Sequence, residues 1–359
     1  MATPTREQVI ERLRTVKDPE LHRDIVSLNM VKDVAIEDGR VRVHVELTTP
    51  ACPLKEQIGG DVTRAVKAIA GVRQVALEWS ANVRSSRGPA AVLPDVKNVI
   101  AVGAGKGGVG KSTIAALLAV GLQRDGAAVG LMDADVYGPS IPTMFGVAER
   151  KPAVRGERIL PIDAGGISLM SMGFMVDPDR AVIWRGPMVH GVIRQFLDQV
   201  EWGPLDYLIV DLPPGTGDVP LTLAQSLPPT GAIVVCTPQD VALLDARRAV
   251  KMFQQLNVRC LGMIENMSYY LCPNCNHRDE LFDHGGVEQA AAALDVPFLG
   301  EIPLNADIRR FTDDGRAAAT FAETRDYVRD AILTMVRSVA GQISIVSAEA
   351  EAAPTLTIE

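Results

Sequence analysis

The chain has 359 residues, long enough for two domains that each bury a core. Apolar residues make up 47% and charged residues 22%, an ordinary globular balance. The net charge of −8 argues against a general nucleic-acid binder, which gathers basic residues on one face. No uninterrupted apolar run reaches a membrane span, and the opening MATPTREQVIERL lacks the apolar stretch of a secretory signal. Five cysteines do not make a disulfide framework, so the expectation is a cytoplasmic protein with reduced thiols and neither membrane nor nucleic acid as partner.

In chain order, residues 5–16 place Val9, Ile10, Leu13 and Val16 at helical spacing. Val41, Val43, Val45 and Leu47 alternate with polar residues as a half-buried strand does. Asp38-Gly39 ahead of them is a hairpin turn signal. A helix pattern over 53–70 and a short strand near 72–79 complete a small α+β domain over residues 1–80. Residues 81–96, rich in Ser, Arg, Gly and Pro, read as a linker. From 97 to 340 short β-branched runs recur at Val99–Val102, Val129–Met132, Tyr207–Val210, Ala232–Val235 and Cys260–Ile264. Separated by turns and helical stretches, they predict an α/β domain with a mostly parallel, doubly wound sheet. Residues 341–359 are expected to be disordered.

Gly105, Lys106, Gly107, Gly108, Val109, Gly110, Lys111, Ser112 and Thr113 form a glycine-rich loop between the first of these strands and a helix. That context gives a G-x-x-x-x-G-K-[ST] match its meaning. Glycines let backbone N–H groups turn toward phosphates, and the helix start favours anions. Lys111 is expected to reach the β- and γ-phosphates of ATP, and the Ser112 hydroxyl to bind Mg²⁺. With Lys106 the loop reads KGGVGKST, which resembles the deviant Walker A ATPases. The resemblance implies that Lys106 crosses a dimer interface to the partner's nucleotide, doing there what an arginine finger does elsewhere.

Asp133 and Asp135 end the second core strand, and Asp211 ends a later one, at the sheet edge where open α/β folds bind ligands. The same resemblance implies that Asp135 positions the attacking water, that Asp133 supports the Mg²⁺ region and that Asp211 holds Mg²⁺ through water. It also makes Pro213–Asp218 a switch loop, in which Gly215 offers its N–H to the γ-phosphate, and assigns Asn266 to the adenine.

Cys272-Pro273-Asn274-Cys275 can bring two thiolates to one metal, but tetrahedral thiolate sites want four ligands. Three solutions are open. His277 and His284 complete a zinc site, the pair is a redox dithiol, or a two-fold dimer brings two pairs to one 4Fe–4S cluster. Cys236 and Cys260 lie in apolar strand patterns and read as inert. The methionine-rich stretch 165–175 reads as strand and core rather than as a client surface.

The motifs KGGVGKST, MDADVYGPSIP, WRGPM, DLPPGTGD, TPQDVALLDARRAV, IENMSYYLCPNC and FDHGG together resemble the Mrp/ApbC family of iron–sulfur cluster carrier ATPases. The resemblance spans residues 98–327. It implies an ATP-hydrolysing homodimer that holds a bridging 4Fe–4S cluster on Cys272 and Cys275. The cluster would come from assembly scaffolds and go to apo iron–sulfur client proteins. Asp18-Pro19-Glu20 and Ala51-Cys52-Pro53 resemble a small domain of iron–sulfur assembly proteins. Cys52 ahead of Pro53 is expected at a helix start, where the dipole lowers a thiol's pKa; a reactive or cluster-handling thiol and, the better bet, a quiet structural cysteine both stay open. Two other readings stay open: a partitioning or positioning ATPase, and a zinc-stabilised ATP-dependent scaffold without a cluster.

Overall fold

A computed structural model describes residues 4–86, 92–136, 138–175, 186–215 and 217–352. The chain forms two compact units, Met1–Arg84 with Ala340–Glu359, and Ser85–Val339.

In the first unit, α1 (Arg6–Leu13) opens with a capping box, the Thr5 hydroxyl accepting from the Gln8 N–H and the Gln8 side chain accepting from the Thr5 N–H. Strands β1 (Val31–Glu37) and β2 (Arg40–Leu47) form an antiparallel hairpin. Its turn residues Asp38 and Gly39 both have positive φ, as the Asp-Gly pair anticipates. Helix α2 (Lys55–Lys67) then leads to β3 (Gln74–Ala81), which runs parallel to β2. The inward-facing Val41, Val43 and Val45 of β2 pack with Val9 and Leu13 of α1 and with Ile58, Val62 and Val66 of α2. Strand β3 and the next strand, which starts at Val96, bracket the expected linker; residues 87–91 of it lie outside the described residues.

The C-terminal expectation needs correcting. Disorder was anticipated from 341, but the helix Asp326–Ala352 continues through that stretch. Ala340, Ile343, Ser344 and Ser347 are buried at helical spacing, and the Thr48 hydroxyl donates to Ser344 Oγ at 3.2 Å. Small residues hid an amphipathic pattern there; residues 353–359 lie outside the described residues. A second correction concerns membrane length. Over Asp326–Ala350 the helix is long and apolar enough to cross a bilayer, although half of its apolar window is buried inside the protein. Its stripe of Val328, Ile332, Met335, Val336 and Val339 is spent on the core.

The second unit is built on a nine-stranded sheet. Its central strand β4 (Val96–Gly103) lies between Leu205–Asp211 and Gly231–Cys236. Beyond the former come β5 (Val129–Asp133) and Ile167–Ser171, and beyond the latter comes Cys260–Leu271, which also pairs with Phe298–Leu304. All of these pairings are parallel; the short edge strands Ile162–Asp163 and Arg278–Asp279 are antiparallel. The strands are buried along nearly their whole length, which explains their unbroken apolar runs. The chain leaves β4, forms α3 (Lys111–Arg124) and re-enters the sheet at β5, two positions away. Later strands, from Gly231–Cys236 on, add to the other side of β4, so the strand order reverses there and the carboxyl end of β4 is the crevice where such sheets bind ligands. Within 165–175, Leu169, Met170, Met172 and Phe174 follow the core reading, whereas Met175 is exposed.

A Cβ at Gly39 would lie 2.7 Å from the carbonyl oxygen of Gly71 at a φ of 76°. Gly39→Ala is therefore expected to cost roughly 1–3 kcal/mol, seen as a lower melting temperature and early loss of hydrogen-exchange protection in β2. Gly60→Ala in α2, with nothing within 4 Å of the added Cβ, should be neutral or stabilising.

Candidate nucleotide site and paired thiols

Residues 104–110 join the end of β4 to the start of α3. Gly108 and Gly110 take positive φ values of 81° and 82°. A Cβ on Gly105 would lie 2.2 Å from the carbonyl carbon of Asp245, and one on Gly110 would lie 2.1 Å from Asn266 Nδ2. The glycines are thus demanded by fit as well as by dihedral angle. Helix α3 starts with no side-chain cap and no acidic residue in its first turn. Its leading N–H groups are left to an external anion.

Behind the loop lies a buried ionic cluster. Lys111 Nζ, 6% exposed, sits 2.7 Å from Asp211 Oδ1, 3.6 Å from Asp135 Oδ2 and 3.2 Å from Ser112 Oγ. Asp211 is fully buried, and its Oδ2 has no hydrogen-bond partner among the described residues. Burial pushes the Asp211 carboxyl up, against the pull of Lys111. Asp133 is pushed up to about 8, chiefly by burial and then by the charge of Asp211. Its oxygens accept from the Asp135 N–H at 3.2 Å, the Ser171 hydroxyl at 2.8 Å and the Ile141 N–H at 3.3 Å. Asp133 therefore braces the strand end from which Asp135 projects. Sequence reading missed Ser171, because only the strand order reveals that its strand lies beside β5. One lysine among three buried carboxylates leaves an excess of negative charge facing the phosphate loop, and an orphaned carboxylate oxygen suits a hydrated divalent cation.

Two contacts reach the phosphate loop from outside it. The Gly215 N–H donates to Ala104 O at 2.9 Å, so the expected switch loop rests against the start of the phosphate loop. Asn266 Nδ2 donates to Val109 O at 2.8 Å, touching the phosphate loop itself. Lys106 enters no hydrogen bond or ion pair among the described residues, in contrast to Lys111. Thr216 and Arg185 of the quoted motifs lie outside the described residues.

Cys272 and Cys275 occupy the turn between the strands Cys260–Leu271 and Arg278–Asp279. The turn is closed by the Cys272 N–H donating to His277 O and by the Asn276 N–H donating to Cys272 O, both at 2.9 Å. Arg325 Nη2 tethers it through Pro273 O at 3.0 Å. The N–H groups of Asn274 and Cys275, then the Cys275 thiol, hold the Cys272 thiol below its usual range. The histidines do not join the pair. His284 Nε2 lies 2.6 Å from Glu301 Oε2, and the one three-ligand grouping among the described residues is Glu265, His284 and Glu301. Neither thiol is part of it.

The remaining cysteines are of another kind. Burial pushes Cys236 up to about 12 and Cys260 up to about 11, as expected for core thiols. Cys52 reverses its expectation. Helix α2 begins only at Lys55, and burial pushes the thiol up to about 11, outweighing the N–H groups of Leu54 and Lys55.

The strand, glycine loop and helix, with a buried lysine facing two strand-end carboxylates, define a P-loop nucleoside triphosphatase. Residues 95–340 match the model of the NUBPL iron-transfer P-loop NTPases, and the chain belongs to that family. Residues 6–77 match a second model, described as an iron–sulfur cluster assembly protein. The iron-sulfur cluster carrier protein of Synechocystis is 49% identical, over 95% of this chain and 98% of its own. That of Deinococcus radiodurans is 48% identical, over 94% and 95%. A nucleotide-binding protein from Archaeoglobus fulgidus, solved in complex with ADP, is 43% identical with a TM-score of 0.57, over 63% of this chain and 89% of that one. The MinC:MinD cell division complex of Aquifex aeolicus shares the fold, at 23% identity and a TM-score of 0.50, over 67% of this chain and 94% of that one.

Alkylation should sort the thiols. At pH 7.5 iodoacetamide is expected to modify Cys272 at least tenfold faster than Cys52, Cys236 and Cys260, because only thiolates react and the latter three stay protonated. Peptide mass spectrometry over time reads the order; rapid labelling of Cys52 would contradict it.

Proposed function

We propose that this protein binds and hydrolyses ATP as a homodimer and carries a 4Fe–4S cluster between its subunits, passing it from assembly scaffolds to apo iron–sulfur proteins in the cytoplasm. The observation that carries the reading is the isolation of the Cys272–Cys275 pair. Two thiols are offered at an exposed turn, and no third ligand gathers with them among the described residues. A second copy about a two-fold axis supplies two more thiolates, which is the ligand count a 4Fe–4S cluster takes. The zinc alternative is disfavoured by the engagement of His284 with Glu301. The names of the Synechocystis and Deinococcus radiodurans relatives support the same cargo.

In this reading the backbone N–H groups of residues 105–113 cradle the phosphates, and Lys111 swings its charge from Asp211 to the β- and γ-phosphates. Ser112 and, through water, Asp211 would hold Mg²⁺, with Asp133 bracing the site; the Asp211 Oδ2, without a hydrogen-bond partner among the described residues, suits that task. The cation neutralises phosphate charge. Asp135 orients the attacking water, and Gly215 carries the switch loop toward the γ-phosphate. Lys106, without an ionic partner among the described residues, is available to the nucleotide of the second copy. The adenine role of Asn266 rests on the family resemblance.

Anaerobic reconstitution with iron and sulfide tests the cargo. The wild type is expected to take about four iron and four sulfide per pair of chains, and Cys272→Ala or Cys275→Ala to take none. Stoichiometric zinc, or a cluster indifferent to both substitutions, would refute the carrier reading. Turnover tests the motor. Lys111→Ala should lower ATP hydrolysis by roughly 10²-fold or more while leaving cluster reconstitution intact, and Lys106→Ala should lower it by roughly 10³-fold.

A further inference from the structure

The strand Cys260–Leu271 carries the nucleotide-loop contact at one point and the thiol turn at its end. Asn266 is buried, and its Nδ2 donates to Val109 O, a carbonyl of the phosphate loop. The fit is close enough that a Cβ on Gly110 would overlap that same Nδ2. The next residue, Met267, takes a φ of 57°, a left-handed conformation rare for a long side chain. At this point the pairing with Phe298–Leu304 breaks register, between Asn266 and Tyr270. Regular strand resumes to Leu271, and Cys272 follows directly. The far side is anchored. Glu265, immediately before Asn266, accepts from the Ser268 hydroxyl at 2.6 Å and from the N–H groups of Gly285 and Val287. A strained kink thus stands between a bolt to the phosphate loop and the thiol turn, and strain held by surrounding contacts is released or reset when one of those contacts changes.

From this we infer that Asn266 is a positioning residue that couples the phosphate loop to the thiol turn. Through its bond to Val109 O it sets the Met267 kink, and with it the thiol-bearing end of the strand, according to whether nucleotide occupies the loop. A phosphate that engages the Gly110 N–H acts on the same peptide plane that carries the Val109 carbonyl, and so on the bond from Asn266. The inference rests on the proposed reading only in assigning nucleotide to this loop. Its test needs no cluster, so its failure and that of the carrier reading are separable.

Hydrogen exchange over Ser268–Leu271 in cluster-free full-length protein, with and without saturating Mg-ADP, provides the test. The wild type is expected to change its exchange rates there at least threefold on adding nucleotide. Asn266→Ala, read at nucleotide concentrations that saturate it, should lose that change while remaining folded by circular dichroism. Asn266→Asp, which keeps the shape but presents no N–H to Val109 O, should lose it too, so a poorly folded alanine variant does not decide the matter. The inference is overturned if either folded variant responds as the wild type does, or if the wild type does not respond. It is also overturned if both variants cease to bind nucleotide at any concentration, which would assign Asn266 to the nucleotide alone.

Discussion

A lysine buried among three carboxylates is the constraint on which this structure turns. Removing a charge from water costs several kcal/mol, and Lys111 is tolerated at 6% exposure only because Asp211 and Asp135 face it. Those carboxylates are brought there by the parallel sheet, whose strands β5 and Leu205–Asp211 end level with each other, Asp133 opposite Asp211. The ion pair is a poor device for stability alone, since well-packed apolar residues of like volume often do as well. Its value lies in its shortage of positive charge. A site with surplus negative charge and an unpartnered carboxylate oxygen is poised for a cation, while the lysine is poised for the phosphates arriving with it.

Two features of the second unit share a different incompleteness. Among the described residues Lys106 has no ionic partner, and in the proposed reading Cys272 and Cys275 supply two of the four ligands that an iron–sulfur cluster takes. A single rotation axis would answer both, because an isologous contact presents each missing element twice. The exposed Val241 and Leu244 lie on the helix Asp240–Gln255 whose backbone at Asp245 packs against Gly105, so apolar surface is available beside the loop.

What the sequence disclosed followed from how local the governing physics is. The phosphate loop was legible because its requirements are short range: glycines at fixed spacing, a lysine, a hydroxyl and a helix start. The strand ends bearing Asp133, Asp135 and Asp211 were legible because buried parallel strands are continuously apolar and stop abruptly at a charge. Ser171 was not, since its bond to Asp133 depends on the order of strands in the sheet. The last turns of the C-terminal helix were hidden because alanine and serine at helical spacing look like a polar tail until they are seen buried against the first unit's own residues. The contact of Asn266 with Val109, 157 residues apart, has no local signature.

Cys52 shows how two correct local arguments are decided by magnitude. A helix start does lower a thiol's pKa, and the N–H groups of Leu54 and Lys55 act in that direction. The dipole's influence is only ~0.3–1 kcal/mol and fades within the first turn, and the helix begins at Lys55 rather than at Pro53. Against it stand the loss of water around a largely buried sulfur and the like charges of Glu20 and Asp18. Burial wins, and the thiol stays protonated. Cys272 meets the N–H groups of Asn274 and Cys275 at an exposed turn, with little desolvation to oppose them, and its pKa falls. Thiolate chemistry in this chain is therefore allotted by exposure, and exposure assigns it to the turn at the end of the strand Cys260–Leu271.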